Sequence, residues 1–535
     1  MINTEQVNVT VAADQQQEQQ EMEQSQSQPI NDDHTQNNQN QNDNNNNSKS
    51  NISVDDANNN NNRFDVIIVG AGVAGSILAR TLGVSGRRVL CVERDLSEPD
   101  RIVGELMQPG GVRALQALGM GECFDGIDAT PAYGYGIFKG TDGVRLSYPR
   151  ESNNSPAKVA NGFSFHHGRF VQKLRNMASM VAAVNLVQGT VKSLIEDDSS
   201  NTIVGIKYTT QLLGGDALTD NDKPQLIERE AFAPLTIVVD GCFSNLRKSL
   251  TNQTPLCVST FVGDCNLPFP DHGHVFLVDP SPILMYRIGS NEIRVLVDVP
   301  GSTCPPNSQL RVMFEKQTAP QLPESLREPF LQSLRNEQLK KMPNSRLHPD
   351  MIDKKGVIVL GDAWNMRHPL TGAGMTVAIA DVRTLTCLLA PLSTEDLGNS
   401  QKMDAVMKEF QRQRTPLAST LNVLAGALYK VFSADNEHLR KACLGYLSLG
   451  GEFSAGPVAL LSGLRPKPSV LAMHFFAVAF YGIFKTLWPF PTPGRIVTAY
   501  RILCAASDIV VPLLHRERTL RGLTFLCRFL RLTKQ

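Results

Sequence analysis

The 535-residue chain has no excess of charge of either sign, with 52 Lys and Arg against 52 Asp and Glu. A nucleic-acid binder announces itself by a strongly basic face, so no nucleic-acid partner is expected. The ten cysteines include no Cys-x-x-Cys pair and no Cys/His cluster at zinc spacing. This argues against structural zinc and against an extracellular disulfide scaffold, so no metal is expected and a reducing, cytosol-facing environment is. No apolar run reaches the roughly 20 residues that cross a bilayer. The first residues also lack the charged start and apolar stretch of a signal peptide.

What is present is unevenly distributed. Residues 1–62 contain 29 Asn or Gln, ten acids and one base, Lys49. So little apolar material cannot offset the entropy of ordering, and this tract is expected to be disordered. The remainder carries 51 basic and 42 acidic residues and is long enough for two to four domains. From about residue 417 the chain turns to apolar helical segments. The clearest, 470–484 and 502–514, are interrupted by His474 and by Asp508 and Pro512. Residues 495–535 add eight Lys or Arg against two acids. Short apolar helices beside a basic tail suit a monotopic anchor on an anionic leaflet, with membrane lipid as partner. A pair of buried core helices is the alternative.

Order is expected from Arg63. The β-branched run 64–69 reads as a buried strand, and Gly70-Ala71-Gly72-Val73-Ala74-Gly75 follows at once. Gly70 permits a tight turn, Gly72 lets backbone approach a pyrophosphate, and Gly75 lets the next helix, 76–82, pack on the sheet. The strand 88–93 completes a βαβ unit and ends in Glu93, 18 residues beyond Gly75, where an acid accepts from ribose hydroxyls. An acid there disfavours a 2′-phosphate, which leaves FAD or NAD. Two later motifs choose FAD. Asp240-Gly241 and Gly361-Asp362 each follow a strand, and the second runs into Pro369-Leu370-Thr371-Gly372-Ala373-Gly374-Met375. An acid at a strand end can hold a ribityl chain, and a helix N-terminus at Gly374 can face the end of a flavin that is anionic when reduced.

Longer stretches carry a resemblance. They include Glu93-Arg94-Asp95, Arg101-Ile102-Val103-Gly104-Glu105-Leu106-Met107-Gln108-Pro109-Gly110-Gly111, Phe165-His166-His167-Gly168-Arg169-Phe170 and Gly361-Asp362-Ala363-Trp364-Asn365-Met366-Arg367-His368-Pro369-Leu370-Thr371-Gly372. Near the C-terminus, Gly450-Gly451-Glu452 and His474-Phe475-Phe476-Ala477-Val478 extend it. About 450 residues resemble the squalene monooxygenase (squalene epoxidase) family of the FAD-dependent monooxygenase superfamily. Ala373 and Trp364 depart from that family's more usual glycine and tyrosine.

The resemblance implies an α/β fold. Its FAD-binding, Rossmann-like domain would comprise residues 63–94, 160–240 and 352–416. An interleaved β-sheet substrate domain would take 95–159 and 241–351, and a helical membrane-associated region 417–535. It places Val73, Ala74, Glu93, Arg94, Arg101, Arg169, Asp362 and Met375 at FAD. It places Tyr135, with Gln108 as its hydrogen-bonding partner, at the active site. His166 and His167 read as capping or core residues rather than acid–base groups. The implied reaction is epoxidation of squalene to (S)-2,3-epoxysqualene through a flavin C4a-hydroperoxide, consuming O2. Only one dinucleotide fingerprint is present, so electrons from NADPH would come through NADPH–cytochrome P450 reductase. The implied location is the cytoplasmic face of the endoplasmic reticulum membrane, with microsomal or lipid-droplet association. Another FAD monooxygenase, a prenyl-chain reductase and a non-enzymatic prenyl-binding protein of related fold remain alternatives.

Overall fold

The computed structural model describes residues 62–150, 159–211, 226–247, 256–263, 266–299, 305–344, 346–350, 352–433 and 436–517. The Asn/Gln-rich tract up to residue 61 and the basic end from residue 518 lie outside the described residues.

Among the described residues, seven strands form a first sheet in the order Leu226–Phe232, Thr202–Gln211, Val184–Asp197, Val89–Glu93, Val66–Val69, Leu235–Val238 and Val357–Val359. The last five run parallel, and the first two extend the sheet antiparallel. All four residues of Val66–Val69 are buried whichever way they point, as expected of a parallel strand covered on both faces. The crossover helix is Val73–Val84, longer at both ends than the small-residue pattern suggested. Four neighbouring parallel strands therefore end side by side, at Glu93, at Gly70, just before Asp240 and just before Gly361-Asp362. Motifs as far apart in sequence as Gly70 and Asp362 share one carboxyl edge, which is where open α/β sheets bind ligands.

A second seven-stranded sheet has the order Lys340–Asn344, Leu256–Gly263, Ile293–Asp298, Ile283–Arg287, Gly273–Phe276, Gly134–Lys139 and Asp142–Ser147. Only the pairing of Gly273–Phe276 with Gly134–Lys139 is parallel. A small sheet of Leu106–Met107, Gly162–Ser164 and Thr130–Ala132 links segments assigned to different domains.

Two packing features cut across the expected boundaries. Helix Pro109–Ala117 puts Val112 and Leu115 into the core of the first sheet, against helix Gly374–Leu389, rather than under the second sheet. Helix Ser400–Phe432 runs unbroken through 416. Val406 and Phe410 on it enter the first core, while Val423, Leu424 and Val431 enter the second.

The late apolar segments are longer than their apolar runs. They form helices Pro468–Leu487, of 20 residues, and Pro493–Arg516, of 24. At 1.5 Å per residue these measure about 30 Å or more, the thickness of a bilayer's hydrocarbon core. The expectation that they fall short of a span is corrected. The helices continue through Lys485, Asp508 and Pro512, so counting uninterrupted apolar residues underestimates them. Phe480, Phe484, Trp488, Phe490, Ile496 and Val497 are each at least half exposed along this pair, which fits membrane association.

Candidate active site

The glycine turn is required by its surroundings at two positions and open at the third. Gly70 has φ +104°, and a Cβ there would meet Val239 O at 2.7 Å. A Cβ on Gly75 would overlap the carbonyl oxygen of Gly70. At Gly72 a Cβ would meet nothing within 4 Å, so this backbone faces free space at the N-terminus of helix Val73–Val84. That is the geometry of an anion cradle.

Glu93 is held by the same turn. Ala71 N–H donates to its Oε2 at 2.7 Å. Arg175 braces both partners: its Nε donates to Ala71 O at 2.8 Å, its Nη1 to Ser97 O at 2.9 Å, and its Nη2 lies 3.8 Å from Glu93 Oε2. A cleft runs on from here. Gly70, Glu93, Arg94, Arg175 and Asp240 line its first half. Val73, Ala74, Asp362, Gly374 and Met375 line its second. Gly72, Arg101 and Cys242 line both, so the two halves are continuous. Arg101 Nη2 pairs with Asp362 Oδ2 at 3.1 Å. Burial raises the Asp240 pKa, and its Oδ1 has no hydrogen-bond partner.

Beyond the turn 369–372 lies a second cavity. Pro369 and Gly372 line the cleft, whereas Leu370 and Thr371 line this cavity. Tyr135, Ile137, Leu146 and Val275 wall it on one side. Leu424, Leu428, Leu471, Phe475 and Val478 from the C-terminal helices close it on the other. The partition is held by a buried chain of hydrogen bonds. Tyr148 Oη donates to Gln108 Oε1 at 2.7 Å, and Gln108 Nε2 donates to Thr371 O at 2.7 Å and to Tyr135 Oη. Tyr135 Oη in turn lies 3.3 Å from Thr371 O. Burial pushes the Tyr135 pKa up to about 12, so its hydroxyl keeps its proton at neutral pH.

A family model described as squalene epoxidase matches residues 232–500. Squalene epoxidase 3 of Arabidopsis thaliana is 48% identical over 463 residues, 85% of this chain and 84% of that protein. The squalene monooxygenase of Mus musculus is 42% identical over 467 residues, 85% of this chain and 78% of that protein. The chain belongs to the squalene epoxidase family. Solved structures similar in fold include a probable FAD-dependent monooxygenase from Pseudomonas aeruginosa. It is 18% identical, with TM-score 0.56 over 72% of this chain and all of that one. The flavin-dependent brominase Bmp2 is 16% identical, with TM-score 0.59 over 78% of this chain and 99% of that one.

For a squalene epoxidase the cofactor is FAD, and the cleft has the features that cofactor needs. It offers open backbone at a helix N-terminus, an acid held in place at the end of the neighbouring strand and a buried carboxylate oxygen without a partner. Two of the residues singled out from the sequence do not line it. Gly75 lies behind the turn, where it permits close packing. Arg169 is exposed, with Nη1 3.8 Å from Asp128 Oδ2. Arg175, six residues along the same helix His167–Ser179, reaches the cleft instead. Phe170, Val171, Leu174 and Ala178 mark that helix's buried face. At 100° per residue Arg175 falls on this stripe and Arg169 opposite it, so the missing signal was helical phase. His167 is buried, with Nδ1 2.9 Å from Gly104 O, and burial beside Arg101 lowers its pKa to about 4. His166 contacts Glu292. Neither Tyr148 nor the buried pair of Glu105 with Arg294, bidentate at 2.7 Å on both arms, was legible from motifs.

Proposed function

We propose that this chain is the squalene monooxygenase of a sterol pathway. It epoxidises squalene to (S)-2,3-epoxysqualene with O2, and its electrons come from NADPH through NADPH–cytochrome P450 reductase. The proposed location is the cytoplasmic face of the endoplasmic reticulum membrane. One observation carries the reading: an almost wholly apolar chamber, built partly from the exposed-faced C-terminal helices, lies across a single turn from the FAD cleft.

Bound FAD, once reduced, supplies oxygen activation, and the protein supplies binding, placement and dryness. The N–H groups around Gly72 and the helix N-terminus hold the pyrophosphate. Glu93, oriented by Ala71 N–H and Arg175, accepts from the ribose, with Arg94 beside it. Asp240 and Asp362 take the ribityl hydroxyls, and Arg101 neutralises Asp362. The N-terminus of helix Gly374–Leu389, with Met375, lines the cleft and would face the flavin ring. Gln108 and Tyr135 fix the partition between flavin and alkene. An alkene has no proton to lose, so no general base is required, in keeping with a Tyr135 that stays protonated. The hydrocarbon lining excludes water that would divert activated oxygen into hydrogen peroxide.

Incubating the membrane-bound protein with squalene, O2, NADPH and the reductase tests this. Formation of 2,3-epoxysqualene is expected. A flavin-loaded preparation that consumes NADPH and leaves squalene unchanged under these conditions overturns it.

A further inference from the structure

Arg367 lines the flavin half of the cleft, yet all five of its N–H groups are occupied by uncharged oxygens. Nε donates to Asn422 Oδ1 at 2.7 Å, and Nη1 donates to Ala373 O at 3.3 Å and Gly374 O at 3.2 Å. Nη2 donates to Asn365 O at 3.4 Å and to Asn365 Oδ1. The carboxylates whose fields reach it, Asp362, Asp381 and Glu517, have other partners. Asp362 pairs with Arg101, and Asp381 holds Arg414 through two 2.9 Å bonds. Glu517 accepts from Asn422 Nδ2 at 3.2 Å and lies 3.7 Å from His348 Nε2. Among the described residues no carboxylate stands within 4.0 Å of Arg367. Burial lowers its pKa to about 10, which still leaves it a cation at neutral pH.

A half-buried cation without a counter-ion, partly desolvated, raises the free energy of the state that contains it. Flavin that takes up two electrons and one proton gains one negative charge. We propose that Arg367 is a charge-compensating positioning residue for the flavin. It holds the carbonyls of 373–374, so that the helix N-terminus faces the ring, and its unpaired charge favours the reduced, singly protonated cofactor over the oxidised one. Asn422 and Glu517 anchor it, which links the flavin turn to the end of helix Pro493–Arg516.

The inference rests on FAD occupying this cleft. The test is the midpoint potential of bound FAD as a function of pH. It is read by dye-coupled dithionite titration of the detergent-solubilised full chain, together with the spectrum of the reduced form. The wild type is expected to take up one proton per two electrons at neutral pH. Arg367→Gln is expected to have a lower potential and to take up two protons, which doubles the slope against pH, and Arg367→Lys restores the single-proton slope. Asn422→Asp places a carboxylate at the 2.7 Å acceptor position and is expected to lower the potential with the guanidinium still present. If Arg367→Gln does not retain flavin, Asn422→Asp decides. A flavin-loaded variant with the wild-type potential and slope overturns the inference and leaves the cofactor assignment intact. A wild type without flavin absorbance overturns the assignment itself.

Discussion

The glycine turn makes a prediction with its own control. Gly72→Ala adds a methyl group that meets nothing within 4 Å in the protein, so the apo fold should accept it. Gly72 has φ −78° and ψ −161°, an extended conformation open to alanine. Weaker helix capping and a stiffer unfolded chain work in opposite directions, each by less than about 1 kcal/mol, so apo stability should hold within ~1 kcal/mol. The methyl projects where the pyrophosphate must lie. Displacing the phosphate from two N–H donors forfeits two charge-assisted hydrogen bonds of about 1.5–3 kcal/mol each. At 1.4 kcal/mol per tenfold, FAD affinity should fall by roughly 10² to 10⁴. Gly75→Ala drives its methyl into the Gly70 carbonyl and should lower apo stability outright. Titrating deflavinated protein with FAD by fluorescence quenching, alongside thermal melts without FAD, separates the two cases. A Gly72→Ala protein that binds FAD within threefold of wild type would refute the cradle. So would one whose apo form melts as early as that of Gly75→Ala.

Asp362→Ala should lose FAD while the melting point of its apo form stays close to that of apo wild type, because the half-exposed pair with Arg101 contributes only ~0–1 kcal/mol; absorbance and thermal melts without FAD read both. Tyr135→Phe removes one acceptor of Gln108 but leaves Thr371 O, a cost of about 1–2 kcal/mol. It should retain FAD and produce more hydrogen peroxide per epoxide formed, measured by oxygen uptake against product. Arg294→Met strands buried Glu105, at roughly 3–5 kcal/mol near neutral pH. Burial already raises the Glu105 pKa above 4.5, so the folded state binds more protons than the unfolded one over the window above that value. Stability of the variant should therefore recover as pH falls through that window, and a deficit that does not vary with pH would contradict this. Replacing exposed Trp488 and Phe490 with Asp should weaken sedimentation with vesicles a hundredfold or more, at about 1.5–3 kcal/mol for each aromatic withdrawn from lipid, with FAD retained.

Local rules reached far wherever the chemistry itself was local. A β-branched run followed by three spaced glycines and a distant acid places strand, turn, helix and strand-end acid within one unit of about 30 residues. Each step there is enforced by neighbours in sequence. The strands Val66–Val69 and Val89–Glu93 lie within two residues of where the runs 64–69 and 88–93 put them. Legibility failed at two points where the outcome depends on orientation or context. Arg169 and Arg175 are equally plausible as letters, and only the rotation of their helix about its axis separates them. The helices Pro468–Leu487 and Pro493–Arg516 outrun their apolar stretches because a helix propagates through an isolated charge or proline when its flanks are already wound.

The amino-acid order alone therefore determined the dinucleotide turn, the acids at successive strand ends, the family and the apolar character of the C-terminal third, because each is written in contiguous residues. Tertiary structure decided that these acids share one sheet edge, that Gln108, Tyr148 and Tyr135 meet over the Thr371 carbonyl, and that Arg367 lies among carboxylates paired elsewhere. Those relations join residues tens to hundreds of positions apart. They exist only once packing has fixed the distance between side chains that the sequence leaves independent.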